Sequence, residues 1–412
     1  MAKPKLALIP AAQGTKFYSV LPSDGTGDFD FTRGSVATRI NAQGLIENVA
    51  SGQSRLDYPL IDGVQKGCPH HILEPARTNL FSYSEDFNSG SPNWVLYGGA
   101  TVTSNNAISP DGTLNADKLS NQGGIYSQRV YNPNIDYVFS LFIKKNTATG
   151  LHMNFVDQAS GYLGGTIIYT YSSGAIQITQ SANSSVSAKS VDYGNGWIRL
   201  IMKFTTNVAQ NYNYQAIESI GGDSLIWGAM LEQGSYPTSY IPTNGTAVTR
   251  SAETANGAGN STTFNDSEGV LMAEIANSET TTGSYLGICN GSSSERLIIG
   301  NEGGLLRVYT DVFVSGSIQS ANKDFNKIAV KYNSSNTSIY YNGFLIKSIN
   351  QSANLSGINE LKFTSGGSAQ NFYGKAKQIQ YFDSALDSQQ LEQLTSWQSF
   401  RDMANGQLYT IE

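Results

Sequence analysis

Residues Thr337–Ser348 read TSIYYNGFLIKS, two apolar runs that meet at Asn342-Gly343. A tight two-residue hairpin turn needs positive φ at both central positions, and Asn-Gly supplies it at the least steric cost, so the stretch predicts an antiparallel hairpin. Outward from it the same short apolar or alternating runs recur. Upstream lie GVLMAEIAN, GSYLGICNG, ERLIIGNEG, LLRVYTDVFV and FNKIAVKYN, and downstream lie INELKFTSG and FYGKAKQIQYFD. A separate series between Leu80 and Pro242 contains DYVFSLFIKK, LHMNFVDQ, GTIIYTYSS, GAIQITQS, WIRLIMKFTT and DSLIWGAMLEQ, punctuated by SSGA, DYGNG and SIGGD. Regular short strands separated by turn signals predict β-sandwiches of the jelly-roll kind.

The composition agrees with that reading. Only 14% of the 412 residues are charged, against 42 Gly, 23 Tyr, 17 Phe and 3 His. Tyr, Phe and Thr suit pleated surfaces, and Gly and Asn suit turns. The length exceeds what one hydrophobic core sustains. The fold class expected is all-β, a small N-terminal module plus two tandem β-sandwich (jelly-roll) domains and a short C-terminal helix. The expected boundaries are 1–78 for an N-terminal anchoring module with little continuous alternation, 79–243 for the first sandwich, 244–262 for a linker and 263–412 for the second sandwich. Asp387 with Gln390 predicts a capping box, followed by Leu391, Leu394 and Trp397 at helical spacing and a stop at Asn405-Gly406. The segment LEQGSYPTSYIPTNGTAVTR, Leu231–Arg250, has two prolines that fix φ and two tyrosines, and is expected to be a semi-rigid hinge. SAETANGAGNSTTFND after Arg250 is expected to be a flexible connection or exposed loop.

The net charge of −6 with no basic block argues against a nucleic-acid partner, which needs clustered Lys and Arg. Cys68 and Cys289 stand far apart, so free thiols are expected rather than a disulfide framework. LALI near the N-terminus stops at Pro10, too short for a signal-peptide core, and no run of about 20 apolar residues exists, so neither export nor membrane insertion is expected.

In order along the chain, TRGSVATRINAQGLIE, LEPARTNLFSYSEDFNSGSPNW, SPDGTLNADKL, GNGWIRL and WGAMLEQGSYPTSYIPT resemble a bacteriophage tail and fibre architecture. In that architecture an N-terminal module precedes a carbohydrate-binding-type jelly roll and a concanavalin A-like (laminin G-like) sandwich. The resemblance implies a non-enzymatic virion appendage, a fibre or spike, that binds host-surface polysaccharide. It also implies other virion proteins as partners, a homotrimer, and a place on the virion surface after assembly in the bacterial host cytoplasm. A virion protein released by lysis needs neither a leader nor disulfides. A capsid head-fibre or decoration protein, and a polysaccharide-degrading enzyme, are the competing readings.

Several residues are candidates for chemistry. Retaining glycosidases on a concanavalin A-like fold place carboxylates about 5–5.5 Å apart, whereas the strand GVLMAEIAN carries Glu274 alone, with Glu268 well before it; no catalytic residue is expected. CPHH at Cys68–His71 lacks the roughly four ligands that structural zinc requires and reads as a surface turn, and His152 reads as structural. No cofactor is expected; Glu85 and Asp86 are left as candidates for the structural calcium that such jelly rolls hold. Trp94, Tyr97, Tyr126, Tyr131, Tyr162, Tyr212 and Tyr214 fall in or near turns of the first sandwich and form the candidate sugar-stacking set. Trp197 and Trp227 sit in strands and are expected in the core. Arg33, Arg39 and Arg77 are expected to pair with carboxylates such as Glu47 or Glu74 and lock the N-terminal module against the jelly roll.

Overall fold

The computed structural model describes residues 2–88, 90, 93–120, 123–157, 164–206, 213–278, 283–303, 305–310, 319–320, 325–353, 355–367, 370–399 and 402. The hairpin forms as read: Asn342 and Gly343 take φ of 48° and 91°, and Tyr341 pairs with Phe344. It closes one edge of an eleven-stranded sheet whose main path runs Thr254–Asn256, Phe29–Thr32, Lys16–Leu21, Leu6–Gln13, Gly374–Phe382, Gly269–Asn277, Asn326–Tyr332, Thr337–Tyr341 and Phe344–Ile349. A five-stranded sheet containing Ser284–Cys289, Arg296–Glu302 and Leu305–Thr310 faces it, and the two enclose a core that includes Leu271, Ile288, Leu297 and Tyr381.

Residues near the N-terminus do not stand apart from this sandwich. Leu6, Ala7 and Leu8 pair with Tyr381, Gln380 and Ile379, and Leu8, Phe17, Phe29 and Phe31 lie inside the same core. So few apolar residues could not build their own core, and sheet addition gives them one. The polar stretch after Arg250 is likewise packed rather than flexible: Thr254–Asn256 pairs with Phe31 and its neighbours, and Glu253, Ala255 and Ala258 are fully buried. CPHH is not a surface turn. Cys68 is exposed, but His70–Leu73 is a buried strand against Gly374–Phe382, with His71 stacked on Phe17 at 3.9 Å between centroids.

The helix Ser388–Thr395 starts at the expected capping box, with Asp387 accepting from Gln390 N at 2.8 Å, and seats Leu391 and Leu394 against Val270, Met272 and Tyr340 on the outer side of the large sheet. It ends sooner than expected, because Ser396 turns to extended backbone at φ −74°, ψ 155°; Trp397 lies past that end, and Asn405-Gly406 fall outside the described residues.

The first sandwich consists of two six-stranded sheets. One runs Val102–Ile108, Leu114–Leu119, Ser224–Gln233, Ile135–Lys145, Trp197–Thr206 and Ser184–Gly194; the other runs Val95–Tyr97, Gly124–Arg129, Asn213–Ile220, Gly150–Asp157, Gly165–Thr170 and Ile176–Gln180. Ile135–Lys145 is apolar without alternation because both of its faces are covered. Phe139, Leu141 and Ile143 point into the core between the sheets, while Phe142 joins Trp197, Trp227, Met230, Tyr240, Ile241 and Ile46 in a second cluster behind the first sheet. Burial of each such large side chain stabilises the fold by about 1.5–3 kcal/mol. Trp197 and Trp227 are therefore core residues, as expected.

Leu231–Arg250 supplies part of that second cluster and is not a hinge. Tyr236, Tyr240 and Ile241 are buried, and Glu232 bends the segment by accepting from Thr238 N and Oγ1 at 2.9 and 2.8 Å. The segment then meets a buried charge network. Arg55 Nε donates to Glu253 Oε1 at 2.8 Å and its Nη2 to Glu74 Oε2 at 2.9 Å; Arg33 reaches the same Glu253 oxygen at 2.8 Å; and Arg250 pairs with Glu74 at 2.9 Å. Burial would raise Glu74, but Arg250 and Arg55 outweigh it and hold the carboxyl well below its usual range. The expected pairing partners are thus partly redistributed. Arg39 does bind Glu47 at 2.6 Å, but Arg33 takes Glu253, Arg77 lies 3.6 Å from Glu232, and Glu74 is held by Arg55 and Arg250.

Candidate functional site

The outer face of the sheet that begins with Val95–Tyr97 brings polar and aromatic side chains into two adjacent rows. Register sets the rows: Tyr97 pairs with Gly124, Gly124 with Glu218 and Glu218 with His152; Val95 pairs with Tyr126, Tyr126 with Ala216, Ala216 with Asn154 and Asn154 with Thr166. Strand alternation places these side chains outward, because their neighbours Ile125, Leu151, Met153, Ile167 and Ile217 point into the core.

The carboxylate of Glu218 organises the site. Its Oε1 accepts from Tyr97 Oη at 2.6 Å and from Asn154 Nδ2 at 3.1 Å, and its Oε2 lies 3.5 Å from His152 Nδ1. His152, aided by Tyr97 and Asn154, keeps the Glu218 carboxyl below its usual range against the burial that would raise it. Burial and the same carboxylate push the Tyr97 phenol upward, so it remains a donor. The Tyr97 side chain reaches Glu218 across Gly124, where a Cβ would come within 2.9 Å of Tyr97 Oη and 2.7 Å of Glu218 Cγ. Tyr97 and Tyr126 present rings 5.8 Å apart, inclined at 48°.

Two oxygens in the second row have no partner. Asn154 is 5% exposed and Thr166 9% exposed, yet Asn154 Oδ1 and Thr166 Oγ1 make no hydrogen bond. Buried polar atoms are normally satisfied, so these two stand out; both are closed off from solvent, in the row that runs from Tyr126 through Ala216 to Asn154 and Thr166. Chemically the arrangement suits a polyhydroxylated ligand with an apolar face.

Only part of the candidate sugar set is found here. Tyr97 and Tyr126 belong to the site. Trp94 and Tyr131 do not, because both are core residues: Trp94 is 1% exposed with its indole N–H donated to Tyr83 O at 2.8 Å, and Tyr131 packs on Tyr137 and Phe204. Their apolar area outweighed the nearby turn residues. Tyr162 and Tyr212 lie outside the described residues, as does the side chain of Tyr214, whose backbone belongs to Asn213–Ile220. Glu218, Asn154 and Thr166 were missed as site residues, and His152 was read as structural. The signal lay in HMN and AIES, where polar residues alternate with core residues.

The calcium candidates are otherwise engaged. Glu85 accepts from Tyr240 Oη at 2.8 Å and Asn115 Nδ2 at 3.1 Å, Asp86 accepts from Asn88 N at 3.0 Å, and among the described residues no cluster of three His, Cys, Asp or Glu could hold a metal ion. Cys68 and Cys289 are both free. Glu274 lines a cavity of about 430 Å³ with Lys327, Lys377, Trp397 and Asp402, and its oxygens lie 3.7 Å from Lys377 Nζ and 2.7 Å from Gln378 Nε2.

No family model matches the chain, and no curated protein matches it. Among solved structures, the CBM40 of a Ruminococcus gnavus IT-sialidase bound to α2,3-sialyllactose aligns at 17% identity over 32% of this chain and 84% of that one, with a TM-score of 0.28. A leech intramolecular trans-sialidase aligns at 18% identity over 33% of this chain and 24% of that one, TM-score 0.28. Domains LG4-5 of mouse laminin α1 align at 10% identity over 73% and 94%, TM-score 0.21. At these scores no residue or role passes from them to this chain.

Proposed function

We propose that this protein binds a glycan on the outer face of its first sandwich, as a non-enzymatic surface appendage of a bacteriophage virion. The observation that carries the glycan reading is the pair of rings Tyr97 and Tyr126, 5.8 Å apart, set next to the Glu218 carboxylate that Tyr97 and Asn154 hold on the outer face. Sugars join an apolar C–H face to a rim of hydroxyls, and this face offers an aromatic surface next to acceptors fixed by the sheet. The virion setting rests on the order of the motifs from TRGSVATRINAQGLIE to WGAMLEQGSYPTSYIPT. It brings with it the proposals of a homotrimer, of other virion proteins as partners, and of assembly in a bacterial cytoplasm.

Titration calorimetry of the full chain against a panel of oligosaccharides tests the binding. We expect at least one ligand whose affinity falls about tenfold in Asn154→Ala; binding that is indifferent to Asn154, Tyr97 and Tyr126 would remove the site. Immunogold labelling of purified virus particles tests the setting. Label on tail tips or fibres supports attachment, label over the capsid favours the head-fibre reading, and unlabelled particles sink the virion assignment.

A further inference from the structure

We infer that the site selects uncharged glycans and rejects those that carry a carboxylate or sulfate, an inference that rests on the glycan reading above. At the described outward positions of the six strands, Glu218 is the only carboxylate and His152 the only basic side chain. His152 is already turned toward Glu218, at 3.5 Å, and Arg129 points to the opposite side of its strand, 5.2 Å over the Phe81 ring. Among the described residues of these strands no lysine or arginine is left on the face to pair with a ligand anion, whereas acidic sugars are normally held by such cations.

The hydrogen-bonding pattern leads to the same selection. Asn154 spends its amide N–H on Glu218, and Glu218 offers the remaining lone pairs of its carboxylate. A carboxylate acceptor wants donors, and the hydroxyls of a neutral hexose provide them. A sugar carboxylate is acceptor-only and negative, so at the same position it would meet Glu218 with no donor between them. Polar groups left unmatched on binding are what makes such discrimination strong.

The experiment compares neutral with acidic probes, oligogalactose against oligogalacturonate and lactose against 3′-sialyllactose, each titrated into the full chain at pH 7.5. The expected result is at least tenfold tighter binding of a neutral member, with the gap narrowed in Glu218→Gln as the acidic member gains. Equal or tighter binding of the acidic members by the unaltered protein overturns the inference while leaving the glycan site standing. If none of a wider neutral and acidic panel binds, the glycan reading itself falls, and the selectivity with it.

Discussion

The hydroxyl of Tyr97 donates to Glu218 Oε1 at 2.6 Å, and the residue between them in the sheet register is Gly124. The absent side chain at Gly124 is what lets phenol and carboxylate meet. Gly124→Ala would bring its Cβ to 2.4 Å from Ile217 O and 2.7 Å from Glu218 Cγ. Overpacking of this kind costs about 1–3 kcal/mol. We expect a lowered urea midpoint together with loss of glycan affinity, measured by fluorescence-monitored unfolding and calorimetry.

Tyr97→Phe is milder. It deletes one hydrogen bond to a charged acceptor, worth about 1.5–3 kcal/mol, from a partly exposed site, so the stability change should fall at or below the lower end of that range. Glycan affinity should fall by about tenfold because Glu218 loses its orientation. Unchanged affinity would confine the site to the Asn154 row.

Arg55 is fully buried between Glu253 and Glu74. Arg55→Met leaves two carboxylates without their shared cation, a kind of change that costs about 3–5 kcal/mol. The double variant Arg55→Met, Glu253→Gln should recover part of that loss. A double-mutant cycle in urea measures the coupling; additive effects would show that the network contributes no pairwise energy.

His70 and His71 should make the protein acid-sensitive. Burial pushes both imidazoles down to about 4, with Lys375 adding to the effect at His70. Since the unfolded value is near 6.5, the folded state binds fewer protons in between. Stability should therefore be fully present above pH 6.5 and decline as pH falls toward 4, by at most about 1.4 kcal/mol per pH unit for each histidine. His71→Phe, which keeps the stack on Phe17, should flatten the lower part of the curve. Urea titrations from pH 4 to 7.5 read the slope.

Asp387→Ala removes the side-chain half of the capping box at the helix Ser388–Thr395, leaving the backbone N–H of residue 387 to donate to Gln390 Oε1, and should cost about 0.5–2 kcal/mol. Hydrogen exchange at the amides of Gln390 and Leu391 should rise first.

Local signals in the sequence carried the strands well. The Asn342-Gly343 turn, the Asp387 cap and the buried Trp197 and Trp227 all follow from chemistry within a few residues. Long-range partners did not follow. His70 and His71 look like surface polar residues until the strand Gly374–Phe382 is seen to cover them, and the small residues around Ala255 look flexible until Phe31 pairs with them. The candidate site was legible only in part for the same reason. Tyr97 and Tyr126 were visible as aromatics near turns, but Glu218 and Asn154 lie 64 residues apart and meet only through sheet register. Trp94 carried the same signal as Tyr97 and was drawn into the core.

The pairing of Leu6–Leu8 with Ile379–Tyr381 also sets an order of events during synthesis. The first sandwich draws its strands from one continuous stretch, Val95–Gln233, and can close as soon as that stretch has left the ribosome. The opening strands must wait, unpaired on that side, until residue 381 emerges. At about 5–20 residues per second that wait lasts tens of seconds or more, during which Leu6, Leu8 and Phe17 remain available to chaperones or to the same segment of a neighbouring chain.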